Sequence, residues 1–169
     1  MTVFRTHYIA DVKKIRTPAQ RAVQSHIKRE FFCVNEQLTV SEVITMLKAT
    51  HQSSMTGHVV IVINHQAEFL GLVAMNRLVC ANTTQSIVQL ISGSAHYTFG
   101  LTEDYPAALQ LRKSQWPILP VLDSRHRVLG VLELNTARAI IRRQLELGSV
   151  QVSKSTSWGW NRFIQLLKR

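Results

Sequence analysis

Histidine, cysteine and carboxylate side chains are the groups in this chain that could hold a metal or act on a substrate, and their spacing argues against both roles. His51, His58 and His65 fall seven apart, which on one helix would put three imidazoles on a common face. Gly57 and the run Val59 to Ile63 interrupt any such helix, so the three are read as separate surface residues. Cys33 and Cys80 each lie inside an apolar run, with no C-x-x-C pair, so neither a zinc site nor a disulfide framework is supported and a reducing compartment fits. Between residues 31 and 137 the adjacent acids are Glu103 and Asp104, and these suit a helix N-terminus better than a divalent cation, which wants several oxygens together. Ser92-Gly93-Ser94 is not a nucleophile elbow, and no glycine-rich phosphate cradle occurs. The sequence therefore predicts no catalytic residues, no metal site and no enzyme.

Charge is the chemistry that remains. The net charge is +10, distributed as +5 over residues 1–30, −1 over 31–137 and +6 over 138–169. A near-neutral body with two cationic flanks can meet nucleic acid or an anionic membrane through residues 1–30 and 156–169. Within the second flank, Trp160, Phe163, Ile164 and Leu167 follow helical spacing, so a basic amphipathic helix is expected after a linker that begins at residue 149. Such a helix can dock on a membrane, on a partner or back on its own body. The apolar stretches are too short to cross a bilayer and the first residues lack a signal peptide's hydrophobic centre, so a soluble, cytoplasmic protein is expected.

The elements that would position any site follow from local patterns. Thr17-Pro18 opens a helix expected over 18–29, with Ala22, Val23 and Ile27 on one face. Thr39 followed three residues later by Glu42 is a capping box for a helix reaching about His51. Strands are expected over 58–63 and 69–74, then helical pieces from Arg77 to Cys80 and from Ser86 to Ile91, with Asn76 as a cap. The pattern then returns. A short strand over 96–99 precedes a helix opening at Thr102-Glu103-Asp104. Strands over 118–122 and 128–134 flank the turn 123–127, and a helix capped by Asn135 or Thr136 runs to about Leu147. Laying Gly71 on Gly130 aligns the two copies without a gap from Val59/Ile118 to Asn76/Asn135, an offset of 59 residues. Turns and caps in phase across two copies mark an internal repeat.

Pro117-Ile118-Leu119-Pro120-Val121-Leu122-Asp123 with Val128-Leu129-Gly130-Val131-Leu132 resembles the hairpin of CBS (cystathionine-β-synthase-type) repeats, and Val59 to Val73 is a looser copy. The resemblance covers about residues 31–145 and looks most like the cytosolic CBS region of MgtE-type magnesium transporters. It implies an α/β (α+β) fold of two βαββα repeats packed about a pseudo-twofold axis, with flanking N- and C-terminal helices. The expected divisions are 1–30 as a basic segment with a lead-in helix, 31–91 as repeat 1, 92–148 as repeat 2, and 149–169 as linker and terminal helix.

The resemblance also implies a non-catalytic regulatory, sensor or scaffolding module, commonly a homodimer acting through a protein partner. Its inter-repeat clefts hold adenosine nucleotides or S-adenosylmethionine in many relatives. Family clefts of that kind carry Gly-h-h-Ser/Thr-x-x-Asp after the second hairpin strand. Here Ala74 and Arg77 stand at those positions in repeat 1, and Glu133 and Thr136 in repeat 2. The usual nucleotide pose is thus disfavoured, no cofactor is required, and an adenosine nucleotide or another small anion is the ligand class left open, with Arg77 as an anion partner. Cleft lining is expected from Cys33, Val34, His58, Val60, Ala74, Arg77, Phe99, Pro117, Leu119, Glu133 and Thr136. The rival expectations are a nucleic-acid or membrane-surface binder using the basic flanks, and a cytosolic regulatory piece related to a magnesium or other ion transporter.

Overall fold

The two hairpins expected from sequence form as equivalent structures, each joined to a short parallel strand. The computed structural model describes residues 21–49, 58–92 and 94–147. The first sheet has the order β1 (Cys33–Asn35), β2 (Val59–Ile63), β3 (Phe69–Ala74), and the second the order β4 (Thr98–Phe99), β5 (Ile118–Leu122), β6 (Val128–Glu133). β1 runs parallel to β2 and β4 to β5, whereas both hairpins are antiparallel. Helices α1 (Val40–Ala49), α2 (Met75–Cys80), α3 (Asp104–Lys113) and α4 (134–147) complete the two βαββα units. The fold class and the pairing of two repeats are as the sequence implies.

Local chemistry explains why the copies agree. Asn64 Oδ1 accepts the backbone N–H groups of Gln66 and Glu68 at 2.9 and 2.8 Å, and Asp123 Oδ1 accepts those of Arg125 and Arg127 at 2.8 and 2.9 Å. Each is a side chain folding its own turn. Both turns then need one residue in the left-handed region, supplied by Ala67 at φ 63° and His126 at φ 59°. The backbone amide of Arg127 is the main reason that the Asp123 carboxyl lies below its usual range. Thr39 and Glu42 form the capping box: the Thr39 N–H donates to Glu42 Oε2 at 2.8 Å and the Glu42 N–H to Thr39 Oγ1 at 3.4 Å. Helices α2 and α4 each begin two residues earlier than the asparagine caps suggest. Ala74 occupies the α2 cap without a side-chain bond, and Asn76 Oδ1 accepts the Arg77 N–H instead.

Strand alternation divides the core into three. Val60, Val62 and Val73 face the helices of repeat 1, and Leu119, Val121 and Leu132 face those of repeat 2. Val59, Ile61, Leu72, Ile118 and Val131 point the other way and meet between the repeats. The two hairpins also touch through backbone, where Glu68 bridges Arg127 and the Phe69 N–H donates to the His126 carbonyl at 2.9 Å. Positions 68 and 127 are equivalent under the 59-residue offset, so this contact marks the pseudo-twofold axis.

Each hairpin receives one more strand-like segment. The Lys28 N–H donates to the Val131 carbonyl at 2.8 Å and the Val131 N–H returns a bond to Lys28 at 2.9 Å. The same exchange joins Leu72 and Ser92 at 3.0 and 2.8 Å. Leu72 and Val131 are equivalent, so both sheets are sealed in the same way, one by the chain before repeat 1 and the other by the chain between repeats. This changes the lead-in segment. In the described part of the helix expected over 18–29, helical geometry does not extend past Arg21, and a 3-10 turn at Val23–Ser25 and an extended strap follow. The Val23 N–H donates to Thr102 and the Gln24 N–H to Gly100, so bonds to repeat 2 outcompete local helix propensity while Val23 and Ile27 still reach the core. Residues 1–20 and the expected C-terminal helix lie outside the described residues. No helix among the described residues is long and apolar enough to cross a membrane.

The straps account for Gly71 and Gly130. A Cβ on Gly130 would lie 2.6 Å from the Lys28 carbonyl oxygen, an atom fixed by the strap's own bonds. A Cβ on Gly71 would collide with Cγ2 of Ile91, a side-chain atom, while the strap's own Ser92 carbonyl oxygen stays in ordinary contact at 3.5 Å. Gly130→Ala is therefore expected to cost about 1–3 kcal/mol of unfolding free energy and Gly71→Ala less, measured by urea unfolding of both variants. Equal losses would show that the strap backbone is not the obstacle.

Candidate ligand cleft between the repeats

The site grows from the ends of the central strands. β2 begins after His58, a residue held at φ 54°, whose carbonyl accepts the Met75 N–H at 3.1 Å. This bond ties the start of the strand to the start of α2 and brings Ala74, Met75, Asn76 and Arg77 beside His58. The equivalent bond, from the Leu134 N–H to the Pro117 carbonyl at 3.2 Å, fixes the entry of β5 against α4. At the end of α3, Ser114 Oγ donates to the Leu111 carbonyl at 2.9 Å and accepts the Trp116 N–H at 3.2 Å. A cap that turns the chain sharply thus delivers Trp116 and Pro117 opposite the repeat 1 residues.

Between them lies a cleft of about 610 Å³ lined by His58, Val59, Ala74, Met75, Asn76, Arg77, Ser92, Gln115, Trp116 and Pro117. Its lining holds an arginine and a histidine but no carboxylate. Arg77 is exposed and forms no ion pair among the described residues. Trp116 stacks on His96, with ring centroids 6.2 Å apart and planes 24° from parallel. His96 Nε2 in turn meets the Ile118 carbonyl at 3.0 Å, which requires a proton on Nε2. A guanidinium at one wall and an indole and proline at the other suit a ligand with an anionic group on an apolar body. Among the described residues no group of three or more histidine, cysteine or acidic side chains is placed to hold a metal.

Of the residues expected at a cleft, the structure brings His58, Ala74, Arg77 and Pro117 together in this one. Cys33 borders a different cavity of about 310 Å³ near the hairpin tips, and burial pushes its thiol pKa up. Val34 and Val60 are buried under the helices of repeat 1 and Leu119 under those of repeat 2, because each points to the sheet face opposite the inter-repeat core. Phe99 is 40% exposed and packs edge-on against Tyr97 and His126. Glu133 meets Lys28 of the strap at 3.5 Å, and Thr136 is half-buried on α4; neither lines the 610 Å³ cleft. Val59, inside the expected lining stretch 58–60, also borders the cleft, whereas Met75, Asn76, Ser92, Gln115 and Trp116 are lining residues that spacing alone missed. For Gln115 and Trp116 the signal was their position just ahead of β5, which the repeat alignment starts at Ile118.

No family model matches the chain. The magnesium transporter MgtE of Thermus thermophilus is 20% identical over 128 residues, covering 73% of this chain and 28% of the transporter. The chain thus spans little more than a quarter of that relative's length. The cytosolic domain of the Mg2+ channel MgtE, solved in complex with ATP, matches with a TM-score of 0.67 at 18% identity, covering 71% of this chain and 48% of that one. A CBS domain pair/ACT domain protein of Thermotoga maritima matches with a TM-score of 0.62 at 22% identity, covering 73% of this chain and 98% of that one.

The wall behind Trp116 has a titration signature. Burial is the main effect on His96 and lowers its pKa below the ordinary 6.5, with the Ile118 hydrogen bond opposing it. Between the lowered folded value and 6.5 the unfolded chain binds more protons than the folded one. The stabilisation is therefore complete above 6.5 and is lost as pH falls through that window. Urea unfolding on either side of the window is expected to show a smaller pH-dependent loss for His96→Gln than for the native chain. An unchanged loss would mean that His96 is not the group responsible.

Proposed function

We propose, from the premise that this chain has the fold of a CBS domain pair, that it is a non-catalytic regulatory or scaffolding module whose output passes to a protein partner. The observation that carries this reading is the 610 Å³ cleft between repeats, where a ligand would touch both copies at once. A ligand that favours one relative placement of the repeats over another shifts that equilibrium, and a partner bound to either repeat reads the shift. A cytoplasmic setting and a homodimer are part of the same proposal.

The cleft is degenerate for adenosine nucleotides. Ala74 has no side-chain hydrogen bond to offer and Arg77 carries the wrong charge to accept bonds from a ribose. At the equivalent positions of repeat 2, Glu133 opposes a phosphate and is already beside Lys28. The reading favours a small anion held by Arg77 over a nucleotide in the family pose. The proposed role requires no cofactor.

Likeness to MgtE over 128 residues favours a second reading, in which the module regulates a magnesium or other ion transporter. The segregated charge of +5 and +6 on the flanks favours a third, a nucleic-acid or anionic-membrane surface built on residues 1–30 and 156–169. In that case binding weakens steeply with salt and is lost when Arg5, Lys13, Lys14 and Arg16, which precede the strap, are replaced by Gln.

Calorimetric titration of the full chain with AMP, ATP and S-adenosylmethionine tests the leading reading. Weak or absent heat is expected for all three. The double variant Ala74→Thr, Arg77→Asp is expected to gain roughly tenfold or more in AMP affinity, since it restores two hydrogen-bonding side chains at the ribose and phosphate. Tight AMP binding by the native chain, unchanged in the double variant, would end the degenerate-cleft proposal.

A further inference from the structure

The pseudo-twofold axis relates two places at the hairpin tips that differ in how full they are. In one, Tyr97 packs edge-on against Phe69 at 5.9 Å and against His126 at 6.0 Å, so three rings fill the space between the repeats. Strand pairing identifies the counterparts. Val34 pairs with Val62 as Thr98 pairs with Val121, so Cys33 stands where Tyr97 does in the other copy. The 59-residue offset over the hairpins sets Val128 against Phe69 and Ala67 against His126.

Every one of the three rings is therefore replaced by a small side chain on the other side of the axis. The result is a cavity of about 310 Å³ that Cys33, Ala67 and Val128 line, with Phe31 and Ile63 as apolar walls. Its polar edge is the Asp123–Arg127 pair, where Arg127 Nη2 and Nε lie 2.9 and 3.0 Å from Asp123 Oδ2. A volume at the lower end of the range for small-molecule pockets suits one ring better than a nucleotide.

We infer that this cavity is a second, separate binding site for a small molecule with a single aromatic ring of the phenol class, seated where the Tyr97 ring sits in the other repeat. The ring occupies the apolar space beside Cys33, and a hydroxyl at its edge meets the carboxylate or guanidinium of the Asp123–Arg127 pair. The site lies at the opposite ends of the central strands from the Arg77 cleft and does not depend on any ligand there. Its ligand would press on both repeats from the hairpin side.

Phenol itself is the probe, added to the full isotope-labelled chain and followed by amide shifts. Saturable shifts at Cys33, Ile63 and Val128, with a dissociation constant on the order of millimolar or tighter, are expected for so small a ligand. Cyclohexanol, of similar size without the flat ring, is expected to bind more weakly. Cys33→Tyr and Val128→Phe each copy the residue already present at the equivalent position, and each is expected to weaken phenol binding at least roughly tenfold by filling the cavity. The two variants are read independently, so one that fails to fold leaves the other decisive. Absence of shifts at these residues, or shifts that persist undiminished in a folded variant, overturns the proposal.

Discussion

The central strands β2 and β5 have almost no solvent face, and that constraint organises the molecule. Val60 and Val62 lie under one set of helices, and Val59 and Ile61 lie against the other repeat. All five residues of β5 are buried. A strand covered on both sides must be apolar throughout, which is why these segments read as continuous hydrophobic runs. Polar chemistry is then pushed to the strand ends, where backbone groups turn into helices or hairpins. His58, Arg77 and Pro117 gather at one end, and Cys33, Asp123 and Arg127 at the other. Both cavities therefore open at strand ends, and both draw residues from the two repeats.

A second constraint is the exchange of straps. An outer β-strand exposes a row of unpaired backbone groups, a hazard for any small sheet. Here β3 and β6 are each covered at one point by a segment from outside the hairpin, through the Ser92–Leu72 and Lys28–Val131 bonds. Gly71 and Gly130 let those segments approach. The strap at Lys28 also places its ammonium beside Glu133, so the carboxylate that departs most from the family motif has a local electrostatic partner. Exposed pairs of this kind stabilise little, so the backbone bonds are the more substantial tie.

Much of this was legible in the sequence, for identifiable reasons. The hairpins were, because β-branched enrichment and the Asn64 and Asp123 turns are local signals. The Thr39–Glu42 box was, because both partners lie within four residues. The lead-in segment was misread as helical since Ala22, Val23 and Ile27 have the right spacing, while the competing partners, Gly100 and Thr102, are distant in the chain. Assigning Val34, Val60 and Leu119 to a cleft failed at the level of strand phase, where a shift of one residue exchanges the two faces. The Cys33–Tyr97 asymmetry was hidden because the copies lie 59 residues apart over the hairpins but 64 apart over β1 and β4. Only strand pairing shows which residues correspond.

The crossing of the first strap has a consequence for synthesis. A ribosome releases Lys28 long before Val131 exists, so the second sheet's seal waits for its partner strand while repeat 1 can already close through Ser92. Vectorial folding of this chain is thus asymmetric despite its symmetric product: the earlier copy can mature during translation, and the later one closes by recapturing a segment made before the first repeat. Long sequence separations of this kind slow folding and leave an edge open to mispairing in the interval.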